Sequence, residues 1–419
     1  MKIPIVIALA VVAAGCGSLT ETSASQVLAS SLFVPTNAAT LANGVVGDFE
    51  CAYADFATAT GLVSDELTDV GLAQIGWDYD RRTVSSQSPI EDYACAAIGQ
   101  NPGSETVPGV WAPLSTARFD GDTLLMVMNT WTNGQVPGRV QLIGQTAAYT
   151  AYALTLMGET MCAGAVDGGP RLTPDSLLGL ADVHFGVAIT NATAAGDAAT
   201  LGMAYLGRAR ERLDRGHTAD AKADAANVPA GFEWDATYDA SSFRRENRLF
   251  TTTFRDHLYS IDVPFRGFIT EGQADPRVSV GDSTRLVSAD ASTNIWVPEK
   301  DPTIGSPIAI AKSSEAQLII AEADNDAGNS GAAITIINNL HAAAGLPAYS
   351  GANDQASVQA AIVHERAAEL FMEGHRLGDM IRYGQNLIPF YPAVGAPFSK
   401  GGSYGTQLCF PLPVVENGT

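Results

Sequence analysis

The chain has 419 residues, and 45 Asp and Glu against 24 Lys and Arg leave it with a net charge of −21. Such a surface repels phosphate backbones and offers nothing basic to anionic lipids, so nucleic acid and an anionic membrane face are excluded as partners. Neutral and cationic ligands stay open, and the length suits one large helical domain or two smaller ones.

The first residues, "MKIPIVIALAVVAAGC", set Lys2 before an apolar run from Ile3 to Ala14, then small residues and a Cys. The run is too short to span a bilayer and reads as a secretory leader. Its end, "AAGC", resembles a bacterial lipobox, with Ala13 where Leu is more usual. Residues 1–15 are therefore expected to be a signal peptide and Cys16 the lipidated first residue of the mature chain. Gly17 rather than Asp after the Cys favours outer-membrane sorting. Residues 16–30, with the small and polar "GSLTETSASQ", suit a flexible tether that anchors without spanning. The body is expected to run from 31 to 419.

Four further Cys, Cys51, Cys95, Cys162 and Cys409, form an even count in an exported protein. Two disulfides are expected, with three pairings open. Cys51 with Cys95 and Cys162 with Cys409 is preferred because the first pair is close in sequence, and four buried thiols are the alternative.

Ala-rich helical patterns fill most of the rest of the chain. A helix is expected around "FDGDTLLMVMNTW" and another over "GQTAAYTAYALTLMGETMCAG", with Trp111 and Trp131 in the core. Tyr205, Leu206, Ala209 and Leu213 recur at helical spacing before the turn "DRGH", and Thr218 is expected to cap the next helix. Leu318, Ile319, Glu322 and Ala323 belong to a second hairpin, with Ser330 as the cap of its second helix. Between them "DNDAGNS" lacks the Glu that a calcium loop needs at its twelfth position counted from Asp324, since Thr335 stands there, so it reads as a turn. The stretch 229–307 differs: rich in aromatics, Pro and β-branched residues, it is expected to be a loop-rich insertion between helical pairs, and loops on a rigid frame are where binding concentrates.

Near the C-terminus, "HERAAELFMEGHRLGDMIRYG" packs His364, Glu365, Glu369, Glu373, His375, Arg376 and Asp379 together. It lacks H-E-x-x-H, and two His eleven residues apart lie roughly 16 Å apart on a helix, too far to share an ion. No metal and no cofactor is expected. On one continuous helix Ile362, Val363, Leu370, Leu377, Met380 and Ile381 share an arc that also holds Arg366 and Glu373, with Glu369 at its edge. Charges on a buried stripe must be paired. Arg366, Glu369, Glu373 and Arg376 are expected to form an internal ion-pair network joining this helix to its neighbours.

"ERAAELFMEGHRLGDMIRYG" resembles the C-terminal signature of the SusD/RagB family of outer-membrane nutrient-binding lipoproteins. "SDELTD" at 64–69, "GQTAAYTAYAL", "DPRV" at 275–278, "SEAQLIIAEA" at 314–323 and "CFPLPVVE" keep the same order. Ala367, Ala368 and Gly378 depart from the pattern, and the chain is short for the family. The resemblance implies a mainly α fold of tetratricopeptide-like helical hairpins with a loop-rich insertion on the ligand side. It implies a non-catalytic lipoprotein facing the cell exterior that binds glycan or peptide as the lid of a TonB-dependent, SusC-like transporter.

Carbohydrate is gripped by aromatic faces, with polar groups reaching the hydroxyls. "IGWDYDRR" offers Trp77, Asp78, Tyr79 and Arg81, and "TNIWVPEK" offers Trp296, as ligand-binding candidates; Trp234 is undecided. Two other readings compete: a secreted glycoside hydrolase using a carboxylate pair, and a helical-repeat scaffold that binds proteins. Two convergent, unpaired carboxylates in a cleft would favour the first of these; exposed aromatics gathered on one face would favour nutrient binding.

Overall fold

In a computed structural model of the chain, residues 29–72, 76–86, 88, 95, 110–291, 294–413 and 416 are described. The expected leader, Cys16 and most of the expected tether lie outside them.

The Ala-rich segments fold as helices because Ala and straight side chains lose little freedom there and small faces let neighbouring backbones approach. After the single turn α1 (Ala29–Leu32) comes α2 (Ala38–Val63), whose Phe49, Tyr53, Phe56 and Leu62 are buried on every side, as in a helix at the centre of a bundle. β1 (Leu67–Asp69) and the one-turn α3 (Trp77–Asp80) come next. Then α4 (Trp111–Met128), α5 (Arg139–Thr160), α6 (Pro174–Ala195), α7 (Ala198–Asp214) and α8 (Thr218–Ala225) pack as antiparallel neighbours. Gly207 on α7 is needed for this packing: a Cβ there would meet the Phe185 ring of α6 at 2.2 Å and Tyr152 of α5 at 2.8 Å. Trp111 is core, Trp131 is half-buried against the core, and Trp234 is pinned by its indole N–H, which donates to Tyr149 at 2.9 Å.

Helix ends obey local chemistry. Thr173 accepts from the Ser176 N–H at the start of α6, with Pro174 in the first turn; Gly196 ends that helix in the left-handed region, and Asp197 caps α7. Two expected caps are corrected. Thr218 is the first helical residue of α8 rather than its cap, and Ser330 begins its own helix, its hydroxyl donating to Asn325 at 2.7 Å. α6 is long and apolar enough to cross a membrane by length and composition. It packs on α5 and α7, and its His184 meets Asp122 of α4 at 3.1 Å, the behaviour of a bundle helix.

From 229 to 307 the chain is irregular. β2 (Glu233–Ala236) is succeeded by the short α9 (Arg248–Phe250), β3 (Tyr259–Ile261), the β4 (Ile269–Thr270) and β5 (Gln273–Ala274) hairpin, then β6 (Val280–Val287) and β7 (Asn294–Pro298). β8 (Ile308–Lys312) pairs antiparallel with β2, and β3 pairs antiparallel with β1, so Asp69 faces Tyr259. All four sheets among the described residues are two-stranded. α10 (Ser313–Asp326), α11 (Ser330–Ala344), α12 (Gln355–Glu369) and α13 (Arg376–Tyr383) complete a mainly α fold of helical hairpins. Disulfides join Cys51 to Cys95 and Cys162 to Cys409.

The charged stretch is not one helix. α12 stops at Glu369 because Met372 (φ 60°) and Gly374 (φ 82°) turn the chain in the left-handed region, and Ile381, placed on the buried arc by a continuous helix, is 44% exposed. The expected mutual network of Arg366, Glu369, Glu373 and Arg376 is corrected for the same reason. Arg366 pairs with Asp379 at 2.8 Å, Glu369 with Arg277 at 3.0 Å, and Glu373 with Lys300 and Lys312 at 2.8 and 2.7 Å. Arg376 lies over the Phe265 ring at 5.5 Å. Each charge is met by a different element, so the stretch joins α12 and α13 to the insertion. His364 completes the same junction: its Nε2 meets the Thr270 hydroxyl, which itself donates to Asp275, so the ring supplies that hydrogen. Burial, foremost, holds His364 below the ordinary imidazole range.

Candidate functional site

The β1 and β3 ladder carries both aromatic candidates. Beyond Asp69 the chain reaches α3, where Trp77 and Tyr79 meet different fates. Tyr79 is fully buried and packs 5.6 Å from the Phe410 ring, so it is core and is removed from the ligand set. Trp77 is half-buried, edge-on to Phe398 at 6.2 Å and 5.7 Å from the Lys400 ammonium. Its indole N–H is buried and has no hydrogen-bond partner among the described residues. Asp78 and Arg81 pair at 2.5 Å, and Arg81 also donates to Gly401 O and lies over Phe398. These two hold the one-turn helix to the loop at 397–403.

Arg82, which no sequence motif singled out, is the staple beneath this surface. Its side chain is wholly buried and donates to Asp65 at 2.7 Å and to the carbonyls of Tyr391, Pro392 and Gly405, with Phe390 and Tyr404 rings on either side. Arg82 and Asp65 both occupy the left-handed region, at φ 55° and 68°, a strain the pairing and the carbonyl contacts sustain. Around them burial pushes carboxyls upward: Asp65 to about 7 against the pull of Arg82, Glu66 to about 7 against the Met372 N–H, and Asp80 to about 7 against the Asp69 N–H. Desolvation outweighs the partners at all three, so this layer holds protons at mild acidity.

Trp296 sits on β7 against β3, where its backbone N–H donates to the Ser260 hydroxyl at 2.9 Å. The indole is half-buried, and the Arg266 guanidinium lies 5.3 Å from its ring. Among the described residues Arg266 makes one side-chain hydrogen bond, from Nε to Ile261 O, which leaves most of its five donors unengaged. Burial, foremost, lowers Arg266 from its ordinary range, against the pull of Asp262, Tyr391 and the exposed Asp282. Asp282 is the cross-strand partner of Trp296, and Tyr391 is 39% exposed. An aromatic face, a half-buried guanidinium, an exposed carboxylate and a phenol thus gather on the loop side of the helical frame. Arg266, Tyr391 and Lys400 were not singled out from sequence; the aromatic density of 229–307 was the available signal for the first, and "PFSKGGSYG" for the last.

Among the described residues, a cavity brings two carboxyls together as a glycosidase would need. Glu159 and Asp214 line a cavity of about 400 Å³ with Arg382 and Arg215, but Asp214 is ion-paired with Arg382 at 3.5 Å. Burial, foremost, drives both upward, Asp214 to about 6 against the pull of Arg382. A retaining glycosidase needs its two carboxyls about 5 Å apart with the scissile bond between them.

The fold and the site together define a helical-hairpin frame that presents aromatic and charged side chains from short loops and two-stranded ladders. The SusD family sequence model matches residues 311–406, from the end of β8 through α13 and the loop at 397–403. Solved structures agree over much more of the chain. A SusD superfamily protein from Bacteroides vulgatus shares 14% identity at TM-score 0.59, over 90% of this chain and 96% of that one. One from Parabacteroides distasonis shares 12% identity at TM-score 0.63, over 91% and 96%. A SusD-like carbohydrate binding protein from Bacteroides vulgatus shares 15% identity at TM-score 0.61, over 84% and 83%. No curated protein matches the sequence. Residues 311–406 thus match the SusD family, and the chain as a whole shares the fold of SusD superfamily proteins.

Proposed function

We propose that the protein is a non-catalytic, lipid-anchored binder of oligosaccharide at the outer membrane, working with a TonB-dependent transporter of the SusC kind in uptake. Residues 1–15 serve as leader, Cys16 and the residues to 30 as anchor and tether, and the remainder as a single body with 229–307 as its ligand-side insertion. The observation that carries the binding role is the grouping of half-buried Trp296 with Arg266, Asp282 and Tyr391 on the loop side. A sugar ring offers apolar C–H faces for the indole and hydroxyls for a guanidinium with spare donors. A similar fold in a carbohydrate binding protein supports the ligand class. The pairing of Asp214 with Arg382 speaks against the hydrolase reading, and the lipobox-like "AAGC" supports the anchor.

The test is calorimetry against a panel of malto-, xylo-, cello- and manno-hexasaccharides. Trp296→Ala should weaken binding at least about tenfold, close to 1.4 kcal/mol, in protein that still unfolds in one cooperative transition. Binding of no panel member by the parent protein, or hydrolysis of one, overturns the reading.

A further inference from the structure

Lys400 holds an unusual position for a lysine in a loop. Its side chain is only 11% exposed, and its three ammonium protons are all used: Nζ donates to Asp69 O at 2.8 Å, Asp69 Oδ1 at 2.9 Å and Gly71 O at 2.6 Å. Asp290 Oδ2 stands 3.4 Å away and the Trp77 ring 5.7 Å away. Two carboxylates and two carbonyls around one point form the hard oxygen set that suits a calcium or sodium ion. Here one ammonium on a flexible stem fills it.

The oxygens come from places far apart in the chain. Asp69 and Gly71 leave β1 toward α3, and Asp290 lies in the β6–β7 turn, where Ser288 donates to its other oxygen at 2.7 Å. Lys400 itself is in the loop closed by the Pro397 and Ser403 bridge and by Arg81 on Gly401 O. The Trp77 backbone depends on the same centre, since a Cβ on the preceding Gly76 would fall 2.3 Å from Asp69 Oδ2. We propose that Lys400 acts as a tethered internal cation, taking the place of a bound metal ion, and that by joining these three loops it positions Trp77 for ligand. The positioning half rests on the glycan-binding reading; the cation half does not.

Deleting the amine leaves four oxygens facing an unfilled centre, two of them on carboxylates that then repel. Lys400→Ala makes room for an ion, whereas Lys400→Met fills the space with an apolar stem. Calcium chloride is the probe, by calorimetry and by hydrogen exchange of the 69–71 backbone amides. Lys400→Ala should bind calcium at about millimolar or tighter, as open oxygen sites do, and calcium should restore amide protection; the parent protein and Lys400→Met should do neither. Calcium binding by all three proteins or by none overturns the cation role. With the hexasaccharide that the parent protein binds, Lys400→Ala should lose at least about tenfold in affinity and regain it in calcium. Unchanged affinity overturns the positioning role. Absence of glycan binding by the parent overturns the functional reading on which that role rests, while the calcium arm still decides the cation role.

Discussion

Glu373 and Glu369 lie one helical turn apart in sequence and look interchangeable there, yet the structure sets very different costs for losing them. The Glu373 side chain is 5% exposed and sits between the Lys300 and Lys312 ammoniums at 2.8 and 2.7 Å, each of which also donates to a backbone carbonyl, Phe371 O and Glu369 O. Burial opposes its ionisation, but the two lysines outweigh it and hold the carboxyl below its usual range. Glu373→Ala strands two cations where one anion had served both. Breaking a buried pair costs about 3–5 kcal/mol, a large part of the roughly 5–15 kcal/mol that holds a domain folded. Glu369 is different, because its partner Arg277 keeps Asp275 at 2.6 Å and Glu365 at 2.7 Å. Glu369→Ala should cost about 1 kcal/mol, the net worth of one hydrogen bond to an Arg277 that keeps its other carboxylates. Urea unfolding of both variants gives the comparison, and hexasaccharide titration below the unfolding midpoint should show unchanged affinity for each. Equal losses of stability, or a selective loss of binding with an unshifted midpoint, would refute the structural role argued for this stretch.

Two other outcomes are expected, from the site and from the leader. Asp65, Glu66 and Asp80 titrate near 7 in the folded protein against ordinary values of 3.8, 4.5 and 3.8, so between about pH 4.5 and 7 the folded state holds protons that the unfolded chain has released. Stability should therefore fall as pH rises through that window, by up to about 1.4 kcal/mol per pH unit for each proton, and urea midpoints at pH 5 should exceed those at pH 7.5; a flat or rising profile contradicts the buried-carboxyl layer. Separately, Cys16→Ser should move the protein from the membrane fraction to the soluble one, and a variant that stays with membranes counts against lipidation.

Most of the helical frame was legible because its signals are local. Small residues at helical spacing, Gly196 after α6 and Gly345 after α11 announce their elements within a few positions. Ligand-side geometry was legible only as a region. Tyr79 reads as a binding aromatic beside Trp77, and what separates them is that Phe410, more than three hundred residues on, packs against one ring while Phe398 and Lys400 frame the other. No local pattern carries that information. The same holds for ion pairs: helical spacing brings Arg366 toward Glu369 and Glu373, whereas the left-handed turn at Met372 and Gly374 sends each charge to a separate partner. A buried charge in a sequence tells that a partner exists and leaves the partner's identity to the fold. Long-range pairs such as Lys400 with Asp69 and Arg277 with Glu365 are where the helical frame and the loop-rich side are joined. The residues that orient the proposed binding face are therefore charged ones distant in sequence, and substitutions meant to change ligand preference should spare them and vary the exposed aromatic and guanidinium groups instead.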